Sequence, residues 1–288
     1  MHIEHPQKLE PALYVVATPI GNLRDITLRA LDVLAGADVV AAEDTRNTSH
    51  LLKHHGIHAR QLIAVHQHNE RGAAEKLVAM LQSGQSVAFV SDAGTPAVSD
   101  PGALLVQAVL AAGLRVIPIP GASAAVAALS ASGLPAPHFL FYGFLPNKSA
   151  ARRTALQQLA LHPYTLVFYE APHRIVECVA DLCAMLGGER KIVLAREVTK
   201  LFETIHACKL SDAEAWLLSD ANQQRGEFVV LVSGAVPEAG LSAETLATLT
   251  LLLAELPLKQ AVQLATKITG ANRSELYQLA LSLKAAES

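Results

Sequence analysis

Cysteine is scarce in this chain and poorly spaced for its structural uses. The 288 residues hold only Cys178, Cys183 and Cys208, an odd number with no Cys-x-x-Cys pair, which argues against a disulfide framework and a structural zinc site. A reducing, cytoplasmic setting is expected. Positive charge is also in short supply. With 23 basic and 26 acidic residues the net charge is -3, so no global positive field holds a nucleic acid and any such contact needs a local basic patch. No membrane span is expected, because the longest charge-free stretch, residues 116–147, is interrupted by Pro118, Pro120, Gly121, Gly133, Pro135, Pro137 and Gly143. The opening MHIEHPQKLEP lacks a basic stretch followed by an apolar run, so no secretory signal is expected. Three motifs are missing as well. There is no G-x-G-x-x-G after the first predicted strand, no G-x-x-x-x-G-K-[ST] and no H-E-x-x-H, which weighs against dinucleotide, nucleoside-triphosphate and metalloprotease chemistry. His66 and His68 have a metal-binding spacing, but two further ligands are not evident, and no metal site is expected.

What is present describes a folded chain of two domains and a short appendage: 51% of residues are apolar and only 17% charged. Five β-rich runs, at 13–17, 39–42, 62–65, 87–90 and 116–119, alternate with helix-period segments at 27–34, 49–54, 70–82 and 103–112. Nearly all-apolar strands in this βαβα order predict a parallel sheet covered on both faces. After the Pro- and Gly-rich residues 134–137, strands are predicted at 139–143, 166–169, 192–195, 204–207 and 228–232, with a helix at 149–161. A second α/β domain follows from this. From residue 241 the composition turns helical, and LKQAVQLATKITGANRSELYQLAL reads as helix, Gly270-containing turn, helix. That pattern resembles a helix-turn-helix, although two helices that merely pack on the body or a partner are the commoner source of such a hairpin. The predicted boundaries are 1–122, 123–235 and 236–288.

Four polar clusters stand at predicted strand ends: ATPIGNLRDIT, AAEDTRNT, VSDAGTPAVSDPG and PIPGASAA. Each alone is explained by turns and helix caps, with Ser49, Asp100 or Ser123 as the cap. Four at one edge of one sheet point to a site, because ligands of open α/β sheets bind at the carboxyl ends of the strands.

The segments VATPIGNLRDIT, AEDTR, SDAGTPAVSDPG, PGASA, FYEAPHR and RGEFV, in that order between residues 12 and 234, resemble the ribosomal small-subunit methyltransferase I family of the tetrapyrrole-methylase-like class. The resemblance implies two α/β domains with S-adenosylmethionine in the cleft between them. It further implies 2'-O-methylation of a cytidine ribose in the decoding region of small-subunit (16S) ribosomal RNA, and a homodimer, which the few surface charges also favour. Cofactor contacts are implied at Asp92, Ala93, Gly94, Thr95, Val98, Ser123, Ala124, Tyr169 and Gly226. The chemistry agrees, since this cofactor needs oxygen acceptors, close backbone approach and apolar walls. Asp92 is an acceptor at a strand exit, Gly94 permits the approach, and Ser123 and Ala124 open a helix whose N–H groups suit a carboxylate.

The pocket does not choose the acceptor. RNA phosphate needs cations near the cleft, and the candidates are Arg24, Arg46, Lys148, Arg152 and Arg153, with Arg174 behind them. Lys148, Arg152 and Arg153 form the densest basic cluster, although any one of them is as readily a solvated surface charge. A ribose hydroxyl also needs a group to take or orient its proton. The order of candidates is Asp100, Glu170, Glu43, ahead of Asp25 and Asp44, against the plain alternative that a carboxylate at a helix start is a cap. Two competing readings are a methylase of a tetrapyrrole precursor and a nucleic-acid-binding regulator working through residues 258–281. AEDTR and FYEAPHR disfavour the first, and the strand-end clusters disfavour the second.

Overall fold

The apolar runs of the first half, β1 (Leu13–Val16), β2 (Val39–Ala42), β3 (Leu62–Ala64), β4 (Val87–Val90) and β5 (Val116–Ile119), pair in the order β3-β2-β4-β1-β5, every pair parallel. This computed structural model describes residues 9–135, 137–235 and 243–286. Successive strand residues enter two separate cores. Tyr14, Val16, Val40, Ala88 and Val90 pack on one face of the sheet, while Leu13, Val39, Ala41, Val87 and Phe89 pack on the other. Both faces are therefore covered, which is why the strands are apolar at every position and not at every second one. The covering helices are α1 (Leu28–Gly36), α2 (Thr45–His54), α3 (Glu70–Gln82) and α4 (Ala103–Ala111). Helix α2 begins four residues before the segment predicted at 49–54, because Asp44 caps it by accepting from the Arg46 N–H at 2.8 Å.

The next helix, α5 (Ala124–Ala131), packs through Ala125 and Ala128 on the second sheet. That sheet contains β6 (Phe139–Phe144), β7 (Thr165–Glu170), β8 (Lys191–Arg196), β9 (Thr204–Lys209) and β10 (Phe228–Val232) in the order β6-β7-β10-β8-β9. Only β6 and β7 are parallel; the other pairs are antiparallel. Its other face is covered by α6 (Ser149–Leu159), α7 (Ile175–Leu186) and α8 (Leu210–Ser219), which bury Leu156, Leu182 and Leu217 against Phe168, Leu194 and Val230. Full burial of each such side chain contributes about 1.5 to 3 kcal/mol.

The described residues up to 235 form one compact unit and those from 243 another. The second contains α9 (Ala243–Glu255), α10 (Leu258–Thr269) and α11 (Arg273–Ala286) around its own core of Leu249, Val262, Ala265, Leu276 and Ala280. Helix α10 ends at Gly270, whose φ of 70° is the left-handed cap that lets the chain reverse. Asn272 then opens α11 by accepting from the Ser274 N–H. No helix among the described residues is long and apolar enough to cross a membrane.

Candidate active site

The 91–102 segment that follows β4 carries most of the chemistry, and its backbone is unusual. Gly94, Ala97, Ser99 and Gly102 all have positive φ, and two of these are residues that rarely adopt it. Such a conformation persists only where its surroundings determine it. Here Thr18 and Gly94 exchange N–H···O bonds at 2.8 and 3.0 Å, and the Ala97 N–H donates to Pro101 O. At the far end the buried Glu70 accepts through one oxygen, Oε1, from the N–H groups of Gly102, Leu104 and Leu105. Helix α4 has no side-chain cap of its own, so Glu70, the first residue of α3, supplies the missing acceptor and fixes the segment to the start of that helix.

This segment forms one wall of a cavity of about 330 Å³. Ala93, Gly94, Thr95, Val98 and Asp100 line it, together with Ile20 after β1, Ser123 and Ala124 at the start of α5, and Tyr169 and Glu170 at the end of β7. The remaining wall comes from Phe144, Val198, Lys200 and the Glu227–Val229 stretch. The Tyr169 ring is fixed edge-on between Phe141 and Phe144, and its hydroxyl accepts from the Ala125 N–H at 3.3 Å. Gly143, at φ 80°, lets β6 pass the 91–102 segment, since a Cβ there would stand 2.7 Å from the Ser99 hydroxyl.

The structure brings nine of the predicted residues to this cavity: Ala93, Gly94, Thr95, Val98, Ser123, Ala124 and Tyr169, with the carboxylates Asp100 and Glu170. Asp92, Gly226 and Glu43 stand outside its lining. Asp92 turns instead to a smaller neighbouring cavity. Glu43 accepts from the Asp92 N–H at 3.3 Å. Gly226 is adjacent to the wall and serves it by absence, since a Cβ there would overlap the Glu197 side chain at a φ of 84°. Sequence reasoning missed Ile20, Phe144, Val198 and Lys200, whose places depend on how the two sheets meet.

The carboxylates differ in electrostatics. Burial, opposed by the Ser91 hydroxyl and aided by the Asp92 charge, holds Asp100 above the ordinary aspartate range. Burial also raises Glu43, with Asp100, Asp92 and Asp44 adding repulsion. Glu170 is held by Arg174, 3.1 Å from Oε1, and accepts from the Ala171 N–H at 2.8 Å. Burial alone would lower the Lys200 pKa, but Glu197 and Glu227, at 2.8 and 2.7 Å, outweigh it and keep the ammonium charged.

Among the predicted RNA-binding cations, Arg152 is a correction. Its side chain is 0% exposed and its Nε donates to Asp181 at 2.6 Å, so it cannot meet a phosphate and instead ties α6 to α7. Arg153 bonds the same carboxylate but stays half exposed, and Lys148 is exposed. Arg24 is exposed in the turn after β1, and Arg46 projects into solvent while paired with Asp44, whose carboxyl it lowers to about 2.

Residues 12–214 match the tetrapyrrole (corrin/porphyrin) methylases, and residues 239–284 match the RsmI C-terminal HTH domain. A ribosomal RNA small subunit methyltransferase I from Pseudomonas aeruginosa is 54% identical over 93% of this chain and 96% of its own length. The chain belongs to the ribosomal RNA small subunit methyltransferase I family. A second member, from Escherichia coli O157:H7, is 53% identical over 93% of this chain and 94% of its own. Among solved structures, the uroporphyrin-III C-methyltransferase of Thermus thermophilus complexed with S-adenyl homocysteine covers 77% of this chain and 97% of that one, with a TM-score of 0.52 and 20% identity. The family fold is thus shared with a methylase of quite different substrate, so the acceptor must be argued from elsewhere in the molecule.

Proposed function

We propose that this chain transfers a methyl group from S-adenosylmethionine to the ribose 2'-hydroxyl of a cytidine in small-subunit (16S) ribosomal RNA. The observation that carries the reading is identity above one half, over nearly the whole chain, with relatives named for ribosomal RNA methylation. The cavity's chemistry suits the cofactor. Its apolar wall of Ile20, Val98, Phe144, Val198 and Phe228 suits a flat base and thioether chain, and Asp100 and Glu227 supply oxygen acceptors. The N–H of Ala124 opens the first turn of α5, which has no side-chain cap, and it suits a carboxylate. When bound, S-adenosylmethionine supplies an electrophilic methyl on a sulfonium.

The protein's part is to orient the ribose hydroxyl and receive its proton. Asp100 fits this task best: it lines the cavity, is in no ion pair among the described residues, and has a pKa raised toward the working range. Glu170 is engaged by Arg174, which also binds Asn147 and the Leu145 carbonyl, and so positions the loop after β6. Tritium from methyl-labelled cofactor should appear in a cytidine ribose of unmodified small subunits. Label on a porphyrinogen instead would overturn the reading.

Lys148, just before α6, and Arg153 within it are left to meet phosphate, with Arg24 and Arg46. Replacing Lys148 and Arg153 by alanine should make the dependence of log affinity for the subunit on log salt shallower, by about 0.7 to 0.9 for each phosphate no longer neutralised, with cofactor affinity unchanged. Equal slopes would return both residues to plain surface charge.

The chain is further proposed to act in the cytoplasm as a homodimer. Leu201 and Phe202 stand 89% and 66% exposed on the turn after β8, and Phe139 and Phe144 are exposed on the edge strand β6, an apolar exterior that a second copy would cover. Light scattering should give twice the chain mass at micromolar concentration, and the mass of one chain would count against it.

A further inference from the structure

A second cavity, of about 190 Å³, lies against the first. Their linings meet on two turns. On the turn after β4, Ser91 and Asp92 line the small cavity while Ala93, Gly94 and Thr95 line the large one. On the turn after β1, Thr18 and Pro19 face the small cavity and Ile20 the large one. Asp100, in the wall of the large cavity, is close enough to Asp92 to feel its charge. A group seated in the small cavity therefore lies against the two turns that also wall the large one.

The polar lining of the small cavity pairs an acceptor with a donor. Asp92 accepts from the Asp44 N–H through Oδ1 at 3.1 Å and from Asn47 Nδ2 through Oδ2 at 3.0 Å. These bonds fix both side chains without exhausting them, because each carboxylate oxygen retains a lone pair and the Asn47 amide a second N–H. Pro19, Leu23 and Leu51 add apolar surface for the faces of a ring.

We infer that the small cavity receives the base of the acceptor nucleotide and reads it as cytosine, with Asp92 accepting from the exocyclic amine and Asn47 donating to the adjacent ring nitrogen. The inference rests on the RNA methyltransferase reading above. A carboxylate accepting from the cytosine amine is an established mode of base readout. Asp92 and Asn47 are exposed in the free protein, and uracil in the same register would cover them with a carbonyl oxygen against the carboxylate and an N–H against the Asn47 donor, leaving those polar groups opposed and cut off from water. Enzymes that do chemistry on a base take it into a pocket and read its Watson–Crick edge, and the same hold on a base would present its ribose. On this inference the ribose of the held base faces the 18–20 and 91–95 turns, which lead to the cavity that Asp100 lines.

The test compares methyl transfer to small subunits carrying either the natural target cytidine or a uridine in its place, using wild type, Asp92→Asn and Asn47→Ala, with calorimetry of S-adenosylmethionine on each. Wild type should prefer cytidine, and each variant should lose roughly ten- to hundredfold of that preference, the discrimination one good base contact supplies, while binding the cofactor normally. Normal cofactor binding shows at once that the variants are folded and that the large cavity is intact. Unchanged preference overturns the inference, as does an equal fall in rate for both nucleotides or a loss of cofactor affinity. No transfer by wild type to either subunit is a different result, and it is the earlier reading that would then fail.

Discussion

Asp100→Asn should lower kcat by about 10²- to 10⁴-fold, the range that positioned proton transfer supplies, with a much smaller change in cofactor affinity. The variant keeps the size of the side chain and its hydrogen bonding near Ser91 while removing its basicity. The pH dependence gives a sharper check. Asp100 must be ionised to accept a proton, and its pKa is raised by burial and by the Asp92 charge, so activity should climb with pH through a value above the usual aspartate figure of about 3.9. That acid limb should vanish in Asp100→Asn. Single-turnover rates across pH, measured with saturating cofactor, decide the matter. A variant within about threefold of wild type, well short of that range, would leave Asp100 as a wall residue, and Glu170, the other predicted carboxylate in the cavity wall, would become the one to examine.

The second large effect concerns stability. Asp181→Ala should cost about 3 to 5 kcal/mol, because it strands the guanidinium of Arg152 in the interior between α6 and α7 without its counter-charge. Arg152 bonds the Asn147 carbonyl as well, but the next carboxylate, Glu177, stands 3.7 Å away. Replacing both partners, Arg152→Met with Asp181→Leu, should recover much of the loss, since an apolar pair does not need the compensation a buried charge does. Burial by itself would raise the Asp181 pKa, but Arg153, Arg152 and Ser149 outweigh it and hold the carboxyl below the ordinary range. A depressed native pKa stabilises the fold above the unfolded value, near about 3.9, and that contribution disappears as pH falls through the native one. Urea titrations at about pH 7 and about pH 3, on either side of that unfolded value, should therefore show a larger acid loss for wild type than for the double variant. A single-variant cost below about 1 kcal/mol, the scale of an exposed pair, would mean that water reaches Arg152.

The strands and their order along the chain were legible in the residues because a doubly covered parallel sheet demands apolar side chains at every position. The runs VVAA and VAFV can do little else. The strand-end clusters were legible for a related reason: Gly, Pro and Asp gather where the backbone must turn and polar groups must face a ligand. Helix α7 was not assigned from the sequence, since its half-buried positions Val176, Ala180 and Met185 are apolar like its buried ones, which blurs the helical period.

What the residues could not settle was which side of a turn each side chain occupies. Asp92 and Ala93 are neighbours in the chain, yet the turn that carries them sends one to the small cavity and the other to the large one. Lys148, Arg152 and Arg153 form a single basic arc in the sequence. Asp181, 29 residues beyond Arg152, draws one of them into the core and leaves two near solvent. Local spacing determines which groups lie close along an element; burial, and with it the charge a partner or substrate can feel, depends on what packs against that element from elsewhere in the chain.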